Sequence, residues 1–450
     1  MTRQASTLII PVENQSRELD AKLLLSCVAA ERGFPVVLGS RFFIHLAAAS
    51  LPRGVYLAKS MRSLSDRMFD ILRKVGHEIV AWDEEALVRA PDTQYWERRL
   101  SPGTVRKVSA IIAWGSDDAR TYREYPGYSG APIHITGNPR VDMMRREVRS
   151  FYDEEVKSIR ERFGRFVLIN TNFGWNNHFV PDFAKINDVG RRKDEFMTNL
   201  FAHRSALFEH FKEMVPALSK ALPEVTILVR PHPTESHVLW NEIARGLGNV
   251  AVVHEGNVIP WLMACEVLVH NSCTTAVEAY ILDTPAIAYQ PVRMKAFDDE
   301  LPNRLSHPVS SSDELARTLR SILAGEKRIN EFPSRRQQIE RHVAALDGPL
   351  AAERLVDVLE QSGYASRLPP RPNASQYFRG WVHANARAVV KTINTRRPGH
   401  RNSIAYHAHR FPDVSVAELS RKVERLGRQL GRFAKVRVRR HSRHIFKIDQ

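Results

Sequence analysis

The sequence predicts an α/β protein built of two Rossmann-like domains, and three observations predict it. Short runs of β-branched and aliphatic residues recur at 7–12, 166–170, 225–229 and 267–269, continuous enough for strands covered on both faces of a parallel sheet. Several of these runs end in small polar residues and then open a stretch of helical period, the pattern of a βα unit. The first such unit, residues 7–39, reads strand, polar loop, helix, Gly33 and second strand without interruption.

Taken in order, 7–12 is a strand, 13–16 a loop and 17–32 a helix that Gly33 ends before the strand at 35–39. Glu13, Glu18 and Asp20 gather there with Arg17. Acids at a helix start are favoured by the helix dipole, which accounts for Glu18 and Asp20 without function. Glu13 lies in the loop, at the edge where open α/β sheets bind ligands. Strands follow at 55–58 and 78–82, with a helix at 63–75 between them, and the second strand runs into Asp83, Glu84 and Glu85. Residues 110–114 form a strand that opens a helix at Gly115, and 133–136 leads into the turn Gly137-Asn138-Pro139-Arg140. The domain boundary is expected near residue 145.

In the second half, 154–163 is a helix and 166–170 a strand that ends in Asn170-Thr171-Asn172-Phe173-Gly174, small polar groups able to donate to a phosphate or sugar. Residues 175–200 show no clean period and read as a lid or acceptor loop. A helix at 203–219 precedes the strand at 225–229, which ends in Arg230-Pro231-His232-Pro233. The prolines fix the backbone around the histidine; arginine offers a fork for phosphate and histidine a switchable donor. A strand at 250–254 and a helix at 259–264 lead to the strand at 267–269, the hydroxyl-rich turn Asn271-Ser272-Cys273-Thr274-Thr275 and a helix at 276–282. Such a turn is an anion site through helix-start amides and hydroxyls. Glu278, one turn in, can accept hydrogen bonds from a ribose diol. A capped helix of any α/β protein would read the same way, and the Arg-x-His-Pro strand end tips the balance. A strand at 286–289 and helices at 313–323 and 335–346 complete the domain.

These residues carry a resemblance. Arg230-Pro231-His232-Pro233, the Ser/Thr turn and Glu278 resemble the C-terminal half of GT-B enzymes that use sugar nucleotides. Among them are the bacterial sialyltransferases and Kdo transferases, whose His-Pro and Ser/Thr motifs grip the CMP phosphate; UDP-N-acetylglucosamine 2-epimerases and CDP-glycerol glycerophosphotransferases have a similar layout. The opening IIPVENQSRELDAKLLLSCVAAERGFPVVLGS and the segment TGNPRVD at 136–142 resemble the bacterial surface carbohydrate biosynthesis proteins, over roughly residues 5–345. The resemblance implies a GT-B fold, with the two domains facing across a cleft, a Gly-Asn-Pro…Asp142 segment at the hinge, and residues 255–260 beside the nucleotide base. It implies a glycosyltransferase that moves a sugar, such as the CMP-linked ulosonic acid Kdo, onto a surface polysaccharide (capsule or lipopolysaccharide) or its lipid-linked precursor. Arg230, His232, Ser272, Thr274 and Thr275 would hold the phosphate, Glu278 the ribose, and Asn170, Thr171 and Asn172 would line the same site. Glu13, then Asp20 or Glu18, would be the base or nucleophile. No metal and no cofactor beyond the nucleotide-sugar donor are expected. The alternatives are a UDP-sugar epimerase or hydrolase on the same scaffold, or a non-catalytic lipid- or glycan-binding protein.

Composition bounds the partners. Of 450 residues, 43% are hydrophobic and 26% charged, ordinary for a globular protein with two or three cores. Three scattered cysteines, Cys27, Cys265 and Cys273, form no CxxC pair and point to a reducing cytoplasm. Neither a signal-peptide h-region nor an apolar run of membrane-spanning length is present. The net charge of +16 is uneven: of 66 Lys+Arg and 50 Asp+Glu, 20 and 4 fall after residue 364, which leaves 46 of each before it. The sequence thus predicts a neutral enzyme, a linker at 351–372 and a basic helical tail at 373–450. In that tail Val416, Leu419, Val423, Leu426, Leu430 and Phe433 recur at helical steps. An amphipathic basic helix fits peripheral attachment to the inner face of the membrane, or a homodimer through a short coiled coil. Nucleic acid is not expected as a partner.

Overall fold

The computed structural model describes residues 4–87, 92–180, 195–298, 300–327, 329, 333–397, 400 and 402–450. The chain forms two compact units: Met1–Ala86, Pro91–Phe151 and Glu340–Gln450 make the first, and Leu87–Ala90 and Tyr152–Ile339 the second.

The first unit begins with β1 (Thr7–Val12), α1 (Gln15–Glu31), β2 (Val36–Ser40), α2 (Arg41–Leu46) and β3 (Gly54–Ala58). It continues through α3 (Asp66–Lys74), β4 (Glu78–Ala81), β5 (Ala110–Ala113), β6 (Ile133–Ile135) and the short α4 (Pro139–Asp142). The apolar runs fill the strand interiors completely, and every residue of β1, β2 and β3 is buried, as strands covered on both faces require.

The second unit holds β7 (Phe166–Asn170), α5 (Glu195–Ala221), β8 (Thr226–Arg230), β9 (Val250–Val252), β10 (Val267–His270), α6 (Thr275–Ile281), β11 (Ala286–Tyr289) and β12 (His307–Val309). Its six strands lie in the order β12-β11-β10-β7-β8-β9, all parallel. Ile169, Ile227, Val269 and Ile287 from four of these strands share one core with Phe211 and Leu218 of α5. The α5 helix starts eight residues before the expected helix at 203–219. Residues 181–194 of the segment expected to be a lid or acceptor loop lie outside the described residues.

The chain then returns to the first unit as α7 (Ala351–Gln361), α8 (Ala374–Asn394), α9 (Ile404–Arg410), α10 (Val416–Leu430), β13 (Arg437–Ser442) and β14 (Ile445–Asp449). The sheet of the first unit has the order β13-β14-β2-β1-β3-β4-β5-β6, parallel from β2 to β6, with β14 antiparallel to β2. The expected boundary at 145 falls at 151/152, and the second unit ends at 339 rather than 350.

Residues 351–372 are not a spacer: α7 packs against α1, and the Pro-rich run beyond it is tied down where Arg53 Nη1 donates to the carbonyl of Pro369 at 3.0 Å. Nor is the region beyond 373 an appendage. The basic/apolar alternation over 435–447 is a hairpin that adds to the open edge of β2, burying Val438, Ile445, Phe446 and Ile448. The apolar stripe of α10 is helical, as its spacing predicts, but Leu419, Val423 and Leu426 are buried and α10 packs on α1. Burial of that stripe against α1 leaves it no face for a membrane. Part of the segment's positive charge meets acids of the same unit: Lys422 Nζ lies 2.8 Å from Asp20, and Arg432 Nη1 lies 2.6 Å from Glu353 and also pairs with Glu31.

Candidate functional site

In the second unit β7 stands where the strand order reverses, with β10 on one side and β8 on the other. Ligands of open α/β sheets bind outside the carboxyl ends at such a point. The loops that follow β7, β8 and β10 are joined there by side chains. Asn172 Nδ2 donates to the carbonyl of Asn271 at 3.0 Å, linking the β7 and β10 loops, and Asn271 in turn donates to the carbonyl of Tyr289 at 2.9 Å.

The centre of this assembly is Glu235, which the sequence reading did not single out. Its Oε1 accepts from the hydroxyl of Thr171 at 2.7 Å, from the amide of Phe173 at 3.0 Å and from the amide of His232 at 3.0 Å, while its Oε2 accepts from the indole of Trp240 at 3.0 Å. It is buried, and burial raises its pKa even though all four donors favour the ionised form. One carboxylate thus fixes the loops after β7 and β8 together. Gly174 completes the join: a Cβ there would stand 2.1 Å from the hydroxyl of Thr234. The local signal for Glu235 was its place before Ser236, whose hydroxyl accepts from the amide of Val238 and caps the next helix; without the fold it reads as a loop acid.

His232 is half-buried. Its Nδ1 accepts from the amide of Thr234 at 3.2 Å and sits 2.8 Å from that residue's hydroxyl, which places the proton of the neutral ring on Nε2. Arg230 does not take the position expected of a phosphate clamp. Its guanidinium is buried, stacks over the Trp261 ring and donates from Nη1 to the carbonyl of Glu255 at 2.9 Å and from Nη2 to that of Gly256 at 2.8 Å. Burial pushes it down to about 10. Arg230 therefore braces the 255–256 loop, because two inward-facing carbonyls need donors more than solvent does.

The turn after β10 is less open than expected. Ser272 has φ 44°, and its amide and hydroxyl are both bonded to the side chain of Asn303. The amide of Cys273 donates to Nδ1 of His270, and those of Ala276 and Val277 to the carbonyls of Cys273 and Thr274. Thr275 gives its hydroxyl to the Cys273 sulfur at 3.1 Å, and Thr274 stands at the N-cap of α6. Much of the expected amide cradle is thus consumed within the turn. Left-handed backbone at a non-glycine residue is strained and concentrates at functional sites. Glu278 is buried in the first turn of α6. Asn170 and Thr171 are buried at the end of β7, Thr171 held by Glu235, and the side-chain oxygen of Asn170 has no partner among the described residues.

In the first unit the order reverses at β1, between β2 and β3. Glu13 follows β1 and pairs with Lys59 after β3, with Arg41 after β2 at 3.3 Å, and with Arg410 of α9 at 2.8 Å. Burial would raise its pKa, but Lys59, then Arg41 and Arg410, hold its carboxyl well below the usual range. Glu18 is buried and structural: it accepts from the amides of Glu13 and Asn14 and from Lys22, which also bonds Glu84 at 2.7 Å and the carbonyl of Pro11 at 2.8 Å. Asp20 is turned to α10 and paired with Lys422. Of the three acids proposed from the sequence, only Glu13 stands at the strand ends in a polar cluster. Asp142, expected at a hinge, instead caps α7: its two oxygens accept from the amides of Ala351 and Ala352 at 2.8 and 2.9 Å.

No family model matches the chain, and no curated protein matches it in sequence. Solved structures do match in fold. The wall teichoic acid polymerase TagF superposes with a TM-score of 0.50 and 10% identity, covering 79% of this chain and 89% of its own. The UDP-GlcNAc 2-epimerase of Methanocaldococcus jannaschii, bound to UDP-GlcNAc and UDP, gives 0.48 and 13%, covering 79% and 99%. Another UDP-N-acetylglucosamine 2-epimerase gives 0.49 and 10%, covering 82% and 99%. The fold is GT-B-like: two Rossmann-like units, each on its own largely parallel sheet. Among the described residues, no helix is long and apolar enough to cross a membrane.

Proposed function

We propose that the protein is a glycosyltransferase that takes its sugar from a nucleotide-linked donor held by the second unit and passes it to a surface polysaccharide or its lipid-linked precursor. The observation that carries this reading is the set of loops after β7, β8 and β10, locked around Glu235 at the reversal of a Rossmann sheet with the proton of His232 on Nε2. A neutral histidine with a fixed Nε2–H donor suits a leaving phosphate, and the orphan oxygen of Asn170 suits a donor group of the nucleotide or sugar. Thr274 adds a hydroxyl at the same edge and Glu278 the ribose contact, while Ser272 and Thr275 shape the turn through Asn303 and Cys273 and Arg230 acts through the loop it braces. A CMP-linked ulosonic acid such as Kdo is the first donor to test, and membrane attachment through the C-terminal segment would bring the enzyme to a lipid-linked acceptor.

Calorimetric titration of CMP, CDP and UDP into the whole protein is the direct test, with at least one expected to bind. His232→Ala should weaken that nucleotide by about ten- to a hundred-fold, the value of one charge-assisted hydrogen bond, with an unchanged unfolding transition. Equal affinity in that variant would remove His232 from the donor site. Products from donor alone, without an acceptor, would favour the epimerase or hydrolase.

Glu13 is the acceptor-side candidate. A carboxylate whose proton affinity is so lowered is an inefficient base at neutral pH, so its value lies in receiving the acceptor's hydroxyl and holding Lys59, Arg41 and Arg410 in place. Glu13→Gln should cut kcat by about ten- to a hundredfold, the value of one charged hydrogen bond to the acceptor hydroxyl, and leave nucleotide affinity unaltered, since Glu13 belongs to the other unit. Lost nucleotide binding with turnover retained would assign it to the donor instead.

A further inference from the structure

We infer that α8 is a docking surface for an anionic lipid bilayer, a role the sequence pattern had given to α10. The inference names the partner of the C-terminal segment and is independent of the donor site.

Globular helices put their large apolar residues inward; α8 does the reverse. Gly380, Ala384, Arg387 and Lys391 share one face, spaced at four, three and four residues. The helix packs through this face on α2 and α3: Ala384 belongs to the core of the first unit, and a Cβ on Gly380 would meet Lys74 Cβ at 2.6 Å. The opposite face carries Phe378, Val382, Val389 and Ile393, spaced at four, seven and four residues, so that all four lie on one side of the helix. Phe378 is 63% exposed, Val389 59% and Ile393 57%. Trp381 flanks the stripe, its ring stacked near that of Phe378 with centroids 6.5 Å apart. Eight of the thirteen exposed large hydrophobic residues among those described lie between Tyr377 and Ile404. A concentrated apolar patch of this kind marks an interaction surface.

Charge selects the partner. Residues 371–404 contain seven Lys or Arg and no Asp or Glu. Arg379, Arg396 and Arg397 are exposed along or just beyond the helix. A protein partner buried on the stripe would need matching acids, whereas an anionic bilayer supplies a uniform negative surface for the arginines and an acyl boundary for phenylalanine, tryptophan and the aliphatics. Interfacial binding of this sort needs no spanning helix, and each basic residue near the surface adds to it.

The test is co-sedimentation of the whole protein with vesicles of phosphatidylcholine, alone or mixed with phosphatidylglycerol. The wild type should pellet with the mixed vesicles, release as salt is raised, and stay in solution with phosphatidylcholine alone. Val382→Glu combined with Val389→Glu, both outward, should lower the partition coefficient roughly tenfold or more without changing the thermal transition. Ala417→Glu, which adds a charge on the exposed side of α10, should leave it within about twofold, as one charge spread over a distant surface is worth little. Undiminished pelleting by the double variant overturns the inference, as does equal binding to uncharged vesicles. A wild type that is dimeric in solution and made monomeric by the double variant overturns it too, in favour of a second copy as the occupant. Nucleotide titration of the double variant separates the two readings: unaltered affinity with lost sedimentation leaves the donor site standing.

Discussion

Glu235→Ala is expected to abolish nucleotide binding and to destabilise the second unit. Four donors converge on this buried carboxylate from Thr171, Phe173, His232 and Trp240. Each buried donor left without a partner costs about 1–3 kcal/mol. The Thr171 hydroxyl can rotate to another acceptor, but the two amides and the indole cannot, so the loss should be on the order of 4 kcal/mol. The loops after β7 and β8 would separate, and His232 would lose the geometry that directs Nε2. Glu235→Gln distinguishes this account from a merely electrostatic one. With its oxygen in the Oε1 position it keeps three of the four bonds and loses only that of Trp240, so its cost should be about 1–2 kcal/mol with weakened but measurable nucleotide binding. Urea unfolding and calorimetric titration on both variants measure the difference; equal behaviour of the two would show that charge, not bond geometry, is what the site requires.

Asp142→Ala is expected to loosen the return of the chain to the first unit. Asp142 is buried and caps α7 through the amides of Ala351 and Ala352. Loss of a side-chain cap costs about 1 kcal/mol at an exposed helix end, and here two buried amides would be left without partners, for a total of about 2–4 kcal/mol. Hydrogen exchange should rise first in α7. Burial pushes this carboxyl up from 3.8 to about 7 against the pull of the two amides. A folded-state value above the unfolded one means the contribution is complete below pH 4 and is lost as pH rises towards 7. The destabilisation by Asp142→Ala should accordingly be larger at pH 5 than at pH 8. The opposite order would show that the ionised carboxylate is the form that caps the helix.

The sequence by itself determined the α/β class, most of the strands and the polar strand ends at which the order of each sheet reverses, because buried parallel strands are continuous apolar runs and polar turns interrupt them sharply. It also determined that α10 is amphipathic and that 435–447 alternates, since both periods are local properties of the chain. What those patterns pack against is not local. The alternating segment became β14 because β2 offered an open edge more than four hundred residues upstream, and the stripe of α10 was taken by α1. The exposed apolar stripe belongs instead to α8, whose small inward residues and large outward ones are told apart only when α2 and α3 define the inside. Likewise Arg230 looked like a phosphate fork until two carbonyls claimed it, and Glu235 looked like a loop acid until four donors met on it. Asp20 and Glu18 became structural once Lys422 and Lys22 were found beside them. A side chain's chemistry is written in the sequence, but its partners come from segments far apart in the chain, and the partners decide whether a charged group is left to act on a ligand or is spent holding the fold.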